Sequence, residues 1–196
     1  MQTLKITPEN ILKAIDFIKQ GGVVIHPTDT CYGLAADITN EKAVNKIYAL
    51  KQMKKEKPMS ILVNDLEMFK KYAELSPEAE DLAQKHLPGA LTLVVSKTKN
   101  VPKFYAENTN MIGVRIPDHK LSLELVASLK KPITTTSANI TGYPQAYSPE
   151  EVEKYFKNEE VLLLDGRVLP NKKPSTILKI VDGKIDLIRQ GDLLVI

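Results

Sequence analysis

Short apolar runs alternate with amphipathic helical stretches along the chain, and its last two runs are separated by only a two-residue turn. Val23–His26, Met59–Val63, Leu91–Val95, Ile112–Ile116, Ile133–Thr136 and Val161–Leu164 read as strands, with Pro117 closing the fourth. Between them lie helix signals. Thr7-Pro8 reads as a cap with proline at the first helical position, followed by a stripe of Ile11, Leu12, Ile15 and Ile18 that stops at Gly21-Gly22. A second helix follows Asn40 with Ala43, Val44, Ile47 and Tyr48 on one face, and a third opens at Ser76-Pro77 and ends before Pro88-Gly89. Leu121–Leu129 is a fourth, and Ser148-Pro149-Glu150-Glu151 carries the capping-box pattern of a fifth. Thr176–Val181, Asp182-Gly183 and Ile185–Ile188 read as a hairpin, so the sheet cannot be all parallel. The expectation is one α/β domain, residues 1–196, with a twisted mixed parallel and antiparallel sheet flanked by helices.

Bulk properties exclude several classes. At 196 residues two full domains would be cramped. No apolar run approaches the ~18 residues that a membrane span needs, and Met1–Lys5 lacks the apolar core of a secretory signal. The single cysteine, Cys31, forms no internal disulfide, so a reducing, cytoplasmic setting is expected. A net charge of +3 does not describe a polycation that coats nucleic acid. Four lysines nevertheless fall between Lys51 and Lys57, and Lys172 and Lys173 sit in a later loop. Such a cluster is ordinarily a solvated face, and it can also gather the phosphates of a nucleotide or of RNA. Phosphate-loop, dinucleotide and nucleophile-elbow patterns are absent. The three histidines, His26, His86 and His119, lie far apart in sequence and Cys31 has no paired cysteine, which argues against a zinc site.

The informative segment is Pro27-Thr28-Asp29-Thr30-Cys31-Tyr32-Gly33-Leu34, directly after a buried strand. Strand ends are where open α/β sheets place ligands, and three short oxygen-bearing side chains there suit a small polar guest. The same residues also make an ordinary turn in which Asp29 and the threonines satisfy local backbone groups. Composition leaves both readings open. Cys31 has no basic partner nearby in sequence and reads as a small buried residue.

The segment resembles the PTDTxYGL signature of the YrdC-like threonylcarbamoyl-AMP synthases, and the resemblance runs nearly end to end. Lys51-Gln52-Met53 lies at the place of that family's K-x-R motif, with methionine where the arginine stands. Pro88–Thr92 is similar to its PGPxT segment, and Ile112–Pro117 to its V-x-x-R-x-P strand. Ser137-Ala138-Asn139 matches S-x-N, Ser175-Thr176-Ile177 matches S-T-[IV], and Arg189-Gln190-Gly191 matches R-x-G. Leu62 falls where many long members carry histidine. The chain resembles the short form, with the catalytic domain alone and a large concave basic cavity.

The resemblance implies a reaction in which threonine, bicarbonate and ATP give threonylcarbamoyl-AMP and pyrophosphate, for the modification of tRNA. Arg115 would hold the carboxylate of threonine, with Thr30, Thr135 and Ser175 around the amino acid. Lys51, Ser137, Asn139 and Arg189 would meet the nucleotide, the first three as the catalytic set. Mg²⁺ would arrive with ATP. Taken alone, Arg115 reads as a surface ion pair and Lys51 as a cation at a helix carboxy-terminus. Lys54, Lys55 or Lys57 would restore the charge missing at Met53. Implied partners are tRNA or double-stranded RNA and the downstream tRNA threonylcarbamoyl transferase proteins. The competing readings are an RNA-binding or ribosome-associated module on the same fold, and a carbamoyl-transfer accessory domain.

Overall fold

Residues 1–195 are described by the structure, a computed structural model; residue 196, the end of the expected domain, lies outside the described residues. The strands are β1 (Gln2–Lys5), β2 (Val24–Pro27), β3 (Tyr32–Ala35), β4 (Ser60–Leu62), β5 (Leu91–Ser96), β6 (Met111–Arg115), β7 (Ile133–Ser137), β8 (Leu162–Asp165), β9 (Thr176–Val181) and β10 (Lys184–Arg189). The helices are α1 (Pro8–Lys19), α2 (Glu41–Leu50), α3 (Leu66–Tyr72), α4 (Pro77–His86), α5 (Lys120–Leu129) and α6 (Pro149–Phe156). All ten strands form one sheet in the order β1-β8-β2-β3-β7-β4-β6-β5-β9-β10. It is mixed: β8 runs parallel to β1 and β2, while β2–β3, β3–β7 and β9–β10 are antiparallel.

Both faces of the sheet are covered, and the alternation of side chains shows it. On β2, Val24 enters a core shared with Ile15, Ile18 and Leu125, while Ile25 enters a larger core with Val44, Ile47 and Phe156. Helices α1 and α5 cover the first face; α2, α3, α4 and α6 cover the second. A strand buried on both sides loses polar alternation. That explains why β3, fully buried as Tyr-Gly-Leu-Ala, is not distinguishable from a loop in the sequence. Two further elements escape the sequence reading. The edge strand β1 is short and mostly exposed, and α3 has only seven residues, started by the Asp65 side chain on Met68 N.

Local signals otherwise act as expected, with two corrections. Thr7 accepts from Asn10 N and opens α1, but Leu12 is 63% exposed and Ala14 takes the buried place. Leu12 stands about 100° around the helix from Ile11, outside the arc of residues 11, 14, 15 and 18. Ser148 caps α6 by accepting from Glu151 N at 3.3 Å, yet Glu151 Oε2 accepts from Tyr147 N at 2.6 Å instead of closing the box on Ser148. Ser148→Ala is expected to cost ~1 kcal/mol, read as a lower urea midpoint at unchanged slope.

The histidines are not all apart. Ser122 Oγ lies 3.1 Å from His119 Nδ1 and 3.4 Å from His26 Nδ1, while no group of metal-binding side chains forms among the described residues. Burial pushes His26 down to about 4. A histidine whose folded pKa is depressed takes its proton more readily when unfolded. Stability should therefore fall as pH drops from 6.5 towards 4, by ~1.4 kcal/mol per unit at most. Urea midpoints at pH 7.0, 5.5 and 4.5 check this; the slope should flatten in His26→Gln.

Candidate active site

The segment after β2 is a hairpin turn, and it does two jobs. Thr28 serves the turn: its Oγ1 accepts from Thr30 N at 3.1 Å and donates to Cys31 O at 2.7 Å. Asp29 and Thr30 instead engage Arg115 at the end of β6. Arg115 Nη2 donates to Asp29 Oδ2 at 2.6 Å, Nη1 to Thr30 Oγ1 at 3.3 Å, and Nε to Gly89 O at 3.1 Å. Arg115 is thus no surface ion pair: its side chain is 6% exposed and that of Asp29 11%. A guanidinium carries five N–H groups, so two remain uncommitted.

The facing wall comes from the β8–β9 connection and the end of β10. Thr92 Oγ1 and Ser175 Oγ lie 2.8 Å apart. Arg189 Nη2 donates to Ser175 Oγ at 3.1 Å and its Nε to Ser175 O at 2.9 Å. The two arginines border a cavity of about 190 Å³ that is also lined by Thr30, Cys31, Thr135 and Ser137. At ~30 Å³ per water this is the space of about six waters, which suits a guest the size of an amino acid. Among the described residues no Asp or Glu side chain lines it. Burial holds the Cys31 thiol up to about 11, so it stays protonated near neutral pH.

Of the eight site residues expected from sequence, Thr30, Arg115, Thr135, Ser137, Ser175 and Arg189 line this cavity. Lys51 and Asn139 do not: they are buried behind the wall, where Lys51 Nζ donates to Ser137 O at 2.6 Å, Asn139 Oδ1 at 2.9 Å and Asn139 O at 3.0 Å. Met53 does line the cavity, whereas Lys54, Lys55 and Lys57 are exposed and outside the lining. Leu62 is also outside it, 1% exposed in the core under α1 and α5, and pairs in register with Arg115. The sequence reading missed Ser60, Thr92 and Gln145 as lining residues. Thr92 was findable, since it closes the Pro88–Thr92 segment. Ser60 was not, because it reaches the cavity only where Gly113 of β6 leaves room; a Cβ there would overlap the Ser60 side chain.

Fold and site together define a mixed-sheet α/β protein with a partly open polar cavity bordered by two arginines. The chain belongs to the Sua5/YciO/YrdC family, whose model, described as "Telomere recombination", matches residues 16–191. A putative threonylcarbamoyl-AMP synthase of Methanocaldococcus jannaschii is 38% identical over 191 residues, covering 95% of this chain and 90% of the relative. The crystal structure of P. abyssi Sua5 complexed with L-threonine superimposes with a TM-score of 0.91 at 32% identity, covering 98% of this chain and 57% of that one. The structure of E. coli YciO has a TM-score of 0.89 at 26% identity over 97% of this chain and 96% of its own.

Proposed function

We propose that the protein is an L-threonylcarbamoyladenylate synthase, a nucleotidyltransferase acting on L-threonine, bicarbonate or CO₂, and ATP. The observation that carries this reading is the pair of arginines, Arg115 and Arg189, at a small cavity otherwise lined largely by hydroxyl side chains among the described residues. The threonine-bound relative and the names of the others support it.

Arg115 would take the threonine carboxylate on its uncommitted N–H groups, in an orientation held by Asp29 and Thr30. The ammonium gives one proton to solvent, its nitrogen bonds to the carbon of CO₂ as one C=O π pair moves onto oxygen, and a second N–H proton lost to solvent leaves the N-carboxylate. An oxygen of that group attacks the α-phosphorus of ATP; the bond to the bridging oxygen breaks, and pyrophosphate leaves with its electron pair. Arg189 faces the charge that develops there, with its guanidinium oriented by Ser175 O and Oγ. Holding the labile N-carboxylate against phosphorus is chiefly a matter of proximity. Mg²⁺ would be carried by the triphosphate, whose charge it shares. The nucleotide would extend through the mouth past Met53. The product is a mixed anhydride that a tRNA threonylcarbamoyl transferase consumes, in the cytoplasm. No helix among the described residues is long and apolar enough to cross a membrane.

A double-stranded RNA-binding module would carry its cations on an open face, where a phosphate backbone reaches them. Arg115 is inside, at 5% exposure, which favours the synthase. Pyrophosphate release with ATP, Mg²⁺ and bicarbonate tests the reading: release should require L-threonine and be much weaker with L-serine. Threonine-independent release, or none, would reject it. Met53→Arg should leave the fold intact and raise ATP affinity, or at least not lower it, because a guanidinium would join the cavity wall. A tenfold weakening, measured by calorimetry, would show that the methionine packs against the core and cannot be exchanged.

A further inference from the structure

Lys51 caps the end of α2, and Gln52 after it has a φ of 49°, in the left-handed region. Met53 N donates to Tyr48 O at 2.9 Å and closes the turn. The result is a division of labour within the motif. Met53 is left at the cavity and Lys51 is 4% exposed beneath it.

Donor accounting there is complete. An ammonium has three N–H groups and no acceptor, and all three of Lys51's are used by Ser137 O, Asn139 O and Asn139 Oδ1. Asn139 is equally committed. Its Oδ1 also accepts from Ser137 Oγ at 2.6 Å, and its Nδ2 donates to Ile140 O at 3.1 Å and Tyr143 O at 2.6 Å. The main chain repeats the link, since Thr141 N donates to Lys51 O at 2.8 Å. Lys51 has no acidic partner within 4 Å among the described residues, so its charge is answered only by these neutral oxygens. Neither residue has a donor left for a phosphate.

We propose that Lys51 and Asn139 are positioning residues that brace residues 137–141, and that they act on the bound nucleotide only through Ser137. Because the Ser137 proton is committed to Asn139 Oδ1, Ser137 meets the guest as an acceptor. The proposal rests on the reading of this cavity as a nucleotide site.

The test is calorimetric titration of the full chain with Mg²⁺–ATP for wild type, Ser137→Ala, Lys51→Met, Lys51→Arg and the Ser137→Ala/Lys51→Met double variant. Each of Ser137→Ala and Lys51→Met is expected to weaken ATP by ~10-fold, and the double variant also by ~10-fold, since residues acting as one unit are not additive. Lys51→Arg should resemble Lys51→Met, because a planar fork cannot serve three acceptors that converge on one nitrogen. A double variant weakened by ~100-fold, or Lys51→Arg at wild-type affinity, overturns the proposal: both mark a direct phosphate contact.

If Lys51→Met does not fold, wild type and Ser137→Ala are compared between pH 7 and 9. Burial lowers Lys51 to about 8, while the neighbouring Cys31 thiol, held up to about 11, stays neutral in that range. Wild-type affinity should fall with rising pH and the fall should vanish in Ser137→Ala; its persistence there overturns the brace. If wild type binds no ATP, the nucleotide reading fails, and the brace is read from hydrogen exchange of the Thr141 amide. That amide should exchange faster in Lys51→Arg, and unchanged protection would sink the idea.

Discussion

Replacing Arg115 with alanine is expected to weaken L-threonine binding by ~100-fold or more, equivalent to ~3 kcal/mol, while ATP affinity stays within ~2-fold. The asymmetry follows from position. Arg115 sits between the β2–β3 turn and Gly89, whereas Arg189 and Ser175 on the facing wall retain their contacts when it is removed. Calorimetry with each ligand separately checks it, and equal losses for both would reject the assignment. The same substitution strands a carboxylate. Asp29 Oδ2 keeps only a long contact from Asp118 N at 3.4 Å, and Oδ1 is already buried without a partner. Breaking a buried pair from one side costs ~3 kcal/mol or more of stability. Adding Asp29→Asn to Arg115→Ala should recover part of that loss in urea unfolding without restoring threonine binding. A double variant less stable than Arg115→Ala would show that Asp29 is held by something other than the arginine.

Gly191→Ala is expected to cost ~3 kcal/mol of stability through overpacking, a fall of roughly 6–12 °C in Tm for a chain of this size, and most of the pyrophosphate release with it. Gly191 is not there for an unusual φ. Its Cα faces the backbone of residues 174–176: an added Cβ would overlap Pro174 O and come within 2.7 Å of Thr176 N. Main chain cannot swing aside as a side-chain end does. Thr176 Oγ1 further ties the strand to this turn by accepting from Gly191 N at 3.0 Å and donating to Leu193 O at 2.7 Å. The displaced segment carries Ser175, on which the Arg189 guanidinium rests. Differential scanning calorimetry beside the pyrophosphate assay reads both effects. Wild-type Tm and activity in Gly191→Ala would mean that the turn yields at no cost.

Much of the fold was legible because its signals are local. Caps such as Thr7, Asn40, Ser76 and Ser148 act within three residues, and the Asp182-Gly183 turn sets the register of the last hairpin. What failed depended on partners far along the chain. Leu12 is apolar and lies off the buried arc; β3 shows no alternation because helices cover both its faces; β1 is a strand only because β8 lies beside it.

The site divides the same way. The motifs, through the family they resemble, named the residues that gather here, hydroxyls from the β2–β3 turn and from Ser137 and Ser175 with two arginines, while the apolar pattern by itself determined only the α/β frame that holds them. Only the tertiary structure decided how each is used, because hydrogen-bond capacity is spent on neighbours that sequence does not name. Arg115 gives three of its five donors to Asp29, Thr30 and Gly89, from 26 to 86 residues away, and leaves two uncommitted. Lys51 gives all three of its donors to residues 86 and 88 positions away and keeps none. Two cations equally plausible as ligands in the sequence are thereby separated into one that faces the cavity and one that supports its wall.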